Sequence, residues 1–449
     1  MPIQASRAFF VAFVVAIAAI ALPGAAPADS WDVNEGIVRG NELLDAWRID
    51  EAEAVRARLD AAGAGLGAEL LGARIAFLRG DYEASLAAFA RAEALAAAPF
   101  PDSVRQFRDF VARVAANMRG FEERDGEHFR VRFQPGPDEV LVEPILRTLE
   151  SARERIGEDL GYVPTEKVLV EILPTKATFV DASTLSAEAV ETSGTIAVCK
   201  FRRLMMMSPR LALRGFPYLD KISHEYVHYV ITSKTRNRTP VWLHEGIAFY
   251  EETRWRSERG GYLQPMLQAL LADATARGRW ISIEAMSPSI ALLPSQDDAA
   301  LAFAQVIMGI DWVIERSGYG ALRGILDRIA AGASDRGAFE AVLGEKFGDF
   351  ETEWRAHIAA QSFTADRKLR LLTFRIADHE PTDGDDAELR EIRDTHARDF
   401  TRLGDLLRER GRAQAAATEY GKASEAAEAL TPVIEIKLAR SLLAAGEGR

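Results

Sequence analysis

The sequence predicts an α+β fold: a small mixed sheet joined to a helical domain, with all-α segments on either side. Three observations carry this. Stretches such as "EHFRVRFQPG" and "KVLVEILP" have the residue types and short length of strands, the first with apolar and polar residues alternating. After "LMMMSP" that pattern gives way to a helix at "SHEYVHYV" and a second starting near Pro240. Ala- and Leu-rich helical stretches occupy residues 33 to 97 and the C-terminal end. Strands grouped ahead of helices are the α+β signature. A length of 449 residues suggests two or three domains, and 48% hydrophobic residues suit a folded chain. A formal net charge of −12 argues against nucleic acid as a partner, because phosphate would go unneutralised.

Residues 1–28 read as a signal peptide. Arg7 precedes the apolar run Ala8 to Leu22, and "APA", Ala26 to Ala28, places small residues before a cut at Asp29. A secreted or periplasmic location follows. The competing reading is an uncleaved anchor, but the run is shorter than the ~20 residues a span needs. No later segment is apolar enough to cross a bilayer, so no stable transmembrane segment is expected after cleavage. Cys199 is the only cysteine, which excludes an intramolecular disulfide and a Cys-based zinc site.

Residues 31–118 form a helical region. In "GAELLGARIAFLRGDYEASLAAFARAEAL" two amphipathic helices break at "RGDY", with Gly80 at the turn. Ala73 and Ser85 are small where helices approach, and Tyr82, Phe89 and Ala92 recur on one face. Gly40 and Ala52 take the places of Ala73 and Ser85 one unit earlier. At the other end, residues 391–449 carry Leu403, Gly404, Leu407, Gly411, Ala416, Tyr420 and Ala423, followed one unit later by Leu438, Ala439 and Leu442. With a period of about 33–35 residues, both regions resemble tetratricopeptide repeats. The resemblance implies stacked hairpins able to receive a protein partner, or merely to brace the middle domain. Generic Ala-rich hairpins are the alternative.

The middle domain is placed at 127–362 and a linker at 363–390, where "HEPTDGDDAE" is rich in turn residues. "EVLVEPILRTLESARERIGEDLGY" is a helix. "GTIAVCKFRRLMMMSP" reads as a hairpin, Thr195 to Cys199 and Leu204 to Met207, turning at Lys200 to Arg203. The run "LMMM" is buried strand, since Met fills cores flexibly. From Ala300 to Ala360 the chain is helical again.

The chemistry centres on "SHEYVHYV", Ser223 to Val230. Residues four apart share a helix face with Cβ atoms about 5–6 Å apart, so His224 and His228 can reach one ion. Glu225 projects beside that face, where it can touch a metal-bound water without being a ligand. Downstream, "TPVWLHEGIAFYEE" opens a second helix, with Thr239 as N-cap and Pro240 in the first turn. It offers His244 and Glu245. Adjacent helical residues point about 100° apart, so the two are not expected to ligate one ion together.

"HEYVH" followed by "WLHEGIA" resembles the gluzincin metallopeptidases, and in particular peptidase MA-like domains, over about residues 127 to 360. The metzincin pattern fails at Ile231 and Lys234. The resemblance implies a zincin-type helical domain with one Zn²⁺ per chain on His224, His228 and Glu245. It also implies Glu225 as the general base, and a peptide or protein as substrate. In related proteases the substrate lies along an edge strand, a role for Thr195 to Cys199 here; no other substrate-binding residue is identified. Two departures stand out. Phe303 occupies the place of a Tyr that would steady the oxyanion, leaving Tyr250, Tyr262 and Tyr319 as substitutes. Phe249 occupies the place of a carboxylate that would orient a zinc histidine; Glu251 or Glu252 is the alternative for that role, but both read first as solvated surface charge. Trp242 is expected to pack the second helix on the first. His128, His357, His379 and His396 read as ordinary surface or core histidines. The expected function is a secreted or periplasmic zinc-dependent peptidase. The alternatives are a catalytically silent peptidase-like domain in a binding scaffold, and a membrane-associated quality-control protease that joins H-E-x-x-H to tetratricopeptide repeats.

Overall fold

The computed structural model describes residues 32–212, 215–363, 388–389 and 391–446. The signal segment 1–28, His379 and most of the linker 363–390 lie outside the described residues.

Among the described residues, five helices come first: α1 (Val33–Asp45), α2 (Ile49–Ala61), α3 (Gly65–Leu78), α4 (Tyr82–Leu95) and α5 (Asp102–Asn117). Asp32 and Asp81 cap α1 and α4 by accepting hydrogen bonds from the backbone N–H groups of Asn34 and Ala84. The Ser85 hydroxyl donates to the Ala73 carbonyl at 2.7 Å, so the small residues do mark the close approach of α3 and α4. Gly80 turns the chain at φ +78°, and a Cβ there would strike Arg203 and Leu169 on the sheet.

The sheet has five strands: β1 (Glu122–Asp125), β2 (Phe129–Phe133), β3 (Val168–Leu173), β4 (Ala197–Lys200) and β5 (Arg203–Met207), in the order β1-β2-β3-β5-β4. The three central strands are parallel and both edges are antiparallel. The helix α6 (Glu139–Leu160) links β2 to β3. α7 (Lys176–Ser183) and α8 (Ala187–Ser193) lead from β3 to β4. Both faces of the sheet are covered, which is why "LMMM" is unbroken apolar sequence. Leu204 and Met206 join the core against α6, whereas Met205 and Met207 join the core of the N-terminal helices.

The sequence reading missed β1, whose residues are all charged and exposed. Edge pairing and the ion pairs Arg130–Asp125 (2.9 Å) and Arg132–Glu123 (2.6 Å) hold it, and propensity does not. The β4–β5 hairpin turns on two residues, Phe201 and Arg202, both at positive φ. This tight turn favours Asn and Gly. Here tertiary contacts hold it: the Phe201 ring meets Trp47 edge-on at 6.0 Å, and Arg202 donates to Asp50 at 2.6 Å and pairs with Glu166.

Next come α9 (Tyr218–Thr235), α10 (Val241–Glu251), α11 (Pro265–Arg277), α12 (Gln296–Ala330), α13 (Asp335–Leu343) and α14 (Phe347–Ala360). α12 starts four residues before the expected Ala300 and breaks at Gly318. After the linker, α15 (Thr395–Glu409), α16 (Ala413–Ala426) and α17 (Pro432–Ala444) enclose a small core of their own around Ile392, Ala397, Ala423 and Ile434. Asp405 is buried there and accepts from the Tyr420 hydroxyl (2.6 Å) and Lys437 (2.7 Å). Among the described residues, no helix is long and apolar enough to cross a membrane.

Candidate metal centre

α9 runs uninterrupted because Pro217 precedes it and neither Pro nor Gly occurs within it. Arg236 and Asn237, both at positive φ, end it and turn the chain back. The second helix begins one residue later than expected, with Pro240 as its N-cap. Gly246 lets α10 lie close against α12: a Cβ there would sit 3.1 Å from the Val306 carbonyl oxygen. The glycine of "HEGIA" thus has a packing reason, and the packing sets the position of Glu245.

His224 Nε2 and His228 Nε2 are 3.1 Å apart, and each is 3.7 Å from Glu245 Oε2. Donors about 2.0–2.1 Å from a tetrahedral zinc stand about 3.3 Å from one another. The three atoms bracket that spacing, and the two-imidazole, one-carboxylate donor set is a zinc set. The residues therefore fit the ion.

The electrostatics agree. Burial pulls the His224 imidazole down, but Glu245 and Glu252 outweigh it and raise its pKa to about 9; the carboxylates call for a positive charge here. Burial pushes Glu245 up, yet His228 and His224 bring it to about 2. Burial drives His228 well below its ordinary value, leaving it neutral as a ligand must be.

Glu225 sits beside the three candidate ligands. Its Oε2 accepts the Cys199 N–H of β4 at 2.6 Å. Burial raises its pKa to about 7, against the pull of His224. The same hydrogen bond places the edge strand β4 at the border of the site. Cys199 itself is partly buried, and burial, then Glu225, pushes its thiol well above its usual range.

His244 turns away from the three converging atoms. Its Nδ1 is 2.5 Å from His228 Nδ1, and its Nε2 is 3.2 Å from Thr232 Oγ1. The order Thr232, His244, His228 fixes which nitrogen of His228 faces inward. On the other side, Glu252 Oε2 stands 3.4 Å from His224 Nδ1 and accepts from Lys221 at 2.9 Å. Glu252 is only 5% exposed and Glu251 is fully buried, which corrects the expectation of surface charge. Helical spacing hides this, because a Glu-Glu pair at a helix end normally faces water.

The aromatic departures are packed at the same place. Phe249 meets the His224 ring at 4.5 Å and the Phe303 ring at 5.0 Å. Tyr250 packs on Gly260 and Gly261, Tyr319 lies under Arg254, and Tyr262 is exposed. Trp242 donates to Asp335 at 2.9 Å and packs on Phe339 and Phe347, so it joins α10 to α13 and α14. His128 pairs with Glu150 at 2.8 Å, and His396 is exposed.

A comparison with curated proteins returned no match. Residues 216–360, which hold the helices from α9 to α14, match the family model of the peptidase MA superfamily, and this supports a peptidase MA-like domain in that part of the chain.

Proposed function

We propose that the chain is a zinc-dependent peptidase of gluzincin type, with His224, His228 and Glu245 as ligands and Glu225 as general base. One observation carries the reading: three donor atoms converge within 4.8 Å while a fourth, separately anchored carboxylate stands beside them. A zinc ion held there would supply Lewis acidity, lowering the pKa of a water and polarising a peptide carbonyl.

The chain's own residues supply the rest. The Cys199 N–H holds one oxygen of Glu225 and leaves the other for proton transfer. With a pKa of about 7, Glu225 can take a proton from water and return it to the leaving amine near neutral pH. In the antiparallel β4–β5 pair alternate residues face outward, so the backbone groups of Ala197 and the Cys199 carbonyl point to the open edge, the Cys199 N–H being taken by Glu225. That edge suits an extended peptide. Phe249 and Phe303 close the site with apolar rings and donate no hydrogen bond.

Purified protein should hold about one equivalent of zinc at the His224–His228–Glu245 site. Glu225→Gln should keep that zinc and lose hydrolysis of a peptide library by about 10²–10⁴-fold. Unchanged turnover in Glu225→Gln would remove it as the base. No zinc in folded protein would favour the silent scaffold, whose support is Phe303. The proposed domain limits are 127–362 for the peptidase unit, with repeat-like hairpins at 31–118 and 391–449 and the latter open to a protein partner. Arg7 and the apolar run Ala8 to Leu22 support export to the periplasm or medium.

A further inference from the structure

α12 and α14 bring together a second set of metal-ligating side chains. Asp311 and Glu315 are four residues apart on α12 and share a face. His357 reaches them from α14, its Nε2 being 3.7 Å from Asp311 Oδ2 and 3.8 Å from Glu315 Oε2. One donor atom from each of the three lies within 4.8 Å of the others.

The imidazole is the independent pointer. The His357 side chain is 8% exposed, and its Nε2 is buried without a hydrogen-bond partner. A buried polar atom left so costs about 1–3 kcal/mol. Trp312 stacks on the ring at 4.7 Å and 30°, holding its plane so that Nε2 faces the carboxylates. Of the neighbouring cations, one takes a single oxygen of Asp311 and the other is engaged outside the cluster. Arg259 donates to Asp311 Oδ1 at 2.9 Å, leaving Oδ2 toward the imidazole. Arg316 pairs with Glu345 and Glu353. The nitrogen–oxygen separations are too long for hydrogen bonds, but two donors each about 2.0–2.2 Å from a shared ion can stand that far apart.

We propose that Asp311, Glu315 and His357 bind a first-row divalent cation, Zn²⁺ or Mn²⁺, that clasps α14 to α12. An imidazole beside two carboxylates disfavours Ca²⁺ and Mg²⁺, which take oxygen donors, and the absence of sulfur disfavours Cu⁺. Glu315 is half-exposed and leaves room for water in the remaining positions. The clasp is independent of the proposed catalytic centre, since neither set shares a residue with the other.

The test uses the full chain carrying Glu245→Gln, which weakens the first centre. Calorimetric titration with ZnCl₂, and separately with MnCl₂, should find one equivalent bound. Adding Glu315→Gln or His357→Gln should lower that affinity at least tenfold. In the otherwise unaltered chain, Glu315→Gln should keep zinc at the first centre and lose only the second site's share of the metal-dependent rise in thermal midpoint, so that its rise is smaller than that of wild type. Because Glu315 is 53% exposed, its substitution spares the fold even if His357→Gln does not. The proposal is overturned if the Glu245→Gln chain binds neither ion, or binds them equally well with Glu315→Gln added. Either result would leave His357 as an ordinary buried neighbour of the two carboxylates.

Discussion

At the scale of single residues, the centre is governed by what stands behind the candidate ligands. An imidazole ligand binds one way round only when its second nitrogen is held, and such partners are worth about 10–100-fold in metal affinity. Here the partners differ. His228 is backed by a neutral imidazole, His244, whereas His224 Nδ1 only faces a carboxylate oxygen of Glu252 at 3.4 Å, with no hydrogen bond between them. His244→Leu should therefore weaken zinc binding about 10–100-fold, measured by competition with a chelator of known affinity, while His244→Gln, which keeps an acceptor, should recover part of it. Equal affinity in wild type and His244→Leu would show that the contact orients nothing. The spacing of His224 and His228 was legible because helical geometry alone puts both on one face. Choosing Glu245 over His244 needed a resemblance, since two adjacent residues look equivalent until α12 fixes the rotation of α10. Glu252 was legible only as an alternative to surface charge: its role depends on burial by Lys221 and Phe249, which come from different helices.

At the scale of elements, the strands were readable in proportion to how much their own side chains hold them. β2 and β3 are core strands, and their apolar residues announce them. β1 is held by its partner, and β4 begins two residues later than expected because its register follows a turn fixed by Trp47 and Asp50 far away in sequence. One residue of β4 records the cost of this placement. Lys200 is buried, donates to the Ser183 carbonyl (2.8 Å) and Thr184 hydroxyl (2.6 Å), and is lowered by burial, then Arg203, to a pKa of about 7. The unfolded chain keeps the ordinary value near 10.5. Between those two values the unfolded state binds more protons, so this group makes stability rise with pH from about 7 to 10.5. Lys200→Met should flatten that rise, read as the difference between wild-type and variant urea midpoints across the range. A parallel pH dependence in the two proteins would mean that Lys200 is solvated in the folded state.

At the scale of the whole molecule, the N-terminal helices share a core with the sheet's second face, and a buried polar network ties the two layers. Glu171, fully buried on β3, accepts from Arg203 (2.6 Å), Arg132 (3.0 Å) and the Tyr82 hydroxyl (3.4 Å). Arg203 also donates to the Tyr82 oxygen at 2.8 Å, and Arg132 to the Gly80 carbonyl at 2.7 Å. Tyr82 and Gly80 belong to the "RGDY" break, so the turn that marks a repeat-like hairpin in the sequence is also the contact with the sheet. Burying such charges costs several kcal/mol per ion, which only a complete set of partners offsets. Removing the anion alone should be the most damaging single change here. Glu171→Met leaves Arg203 buried without a counter-charge and should cost about 3–5 kcal/mol, seen as a lower urea midpoint for the transition that includes the sheet. Adding Arg203→Met should restore much of the loss, because Arg132 still has Glu123 and the two methionines can pack together. If Glu171→Met alone stays within about 1 kcal/mol of wild type, the network does not join the layers, and the apolar contacts of Phe201, Met205 and Met207 suffice.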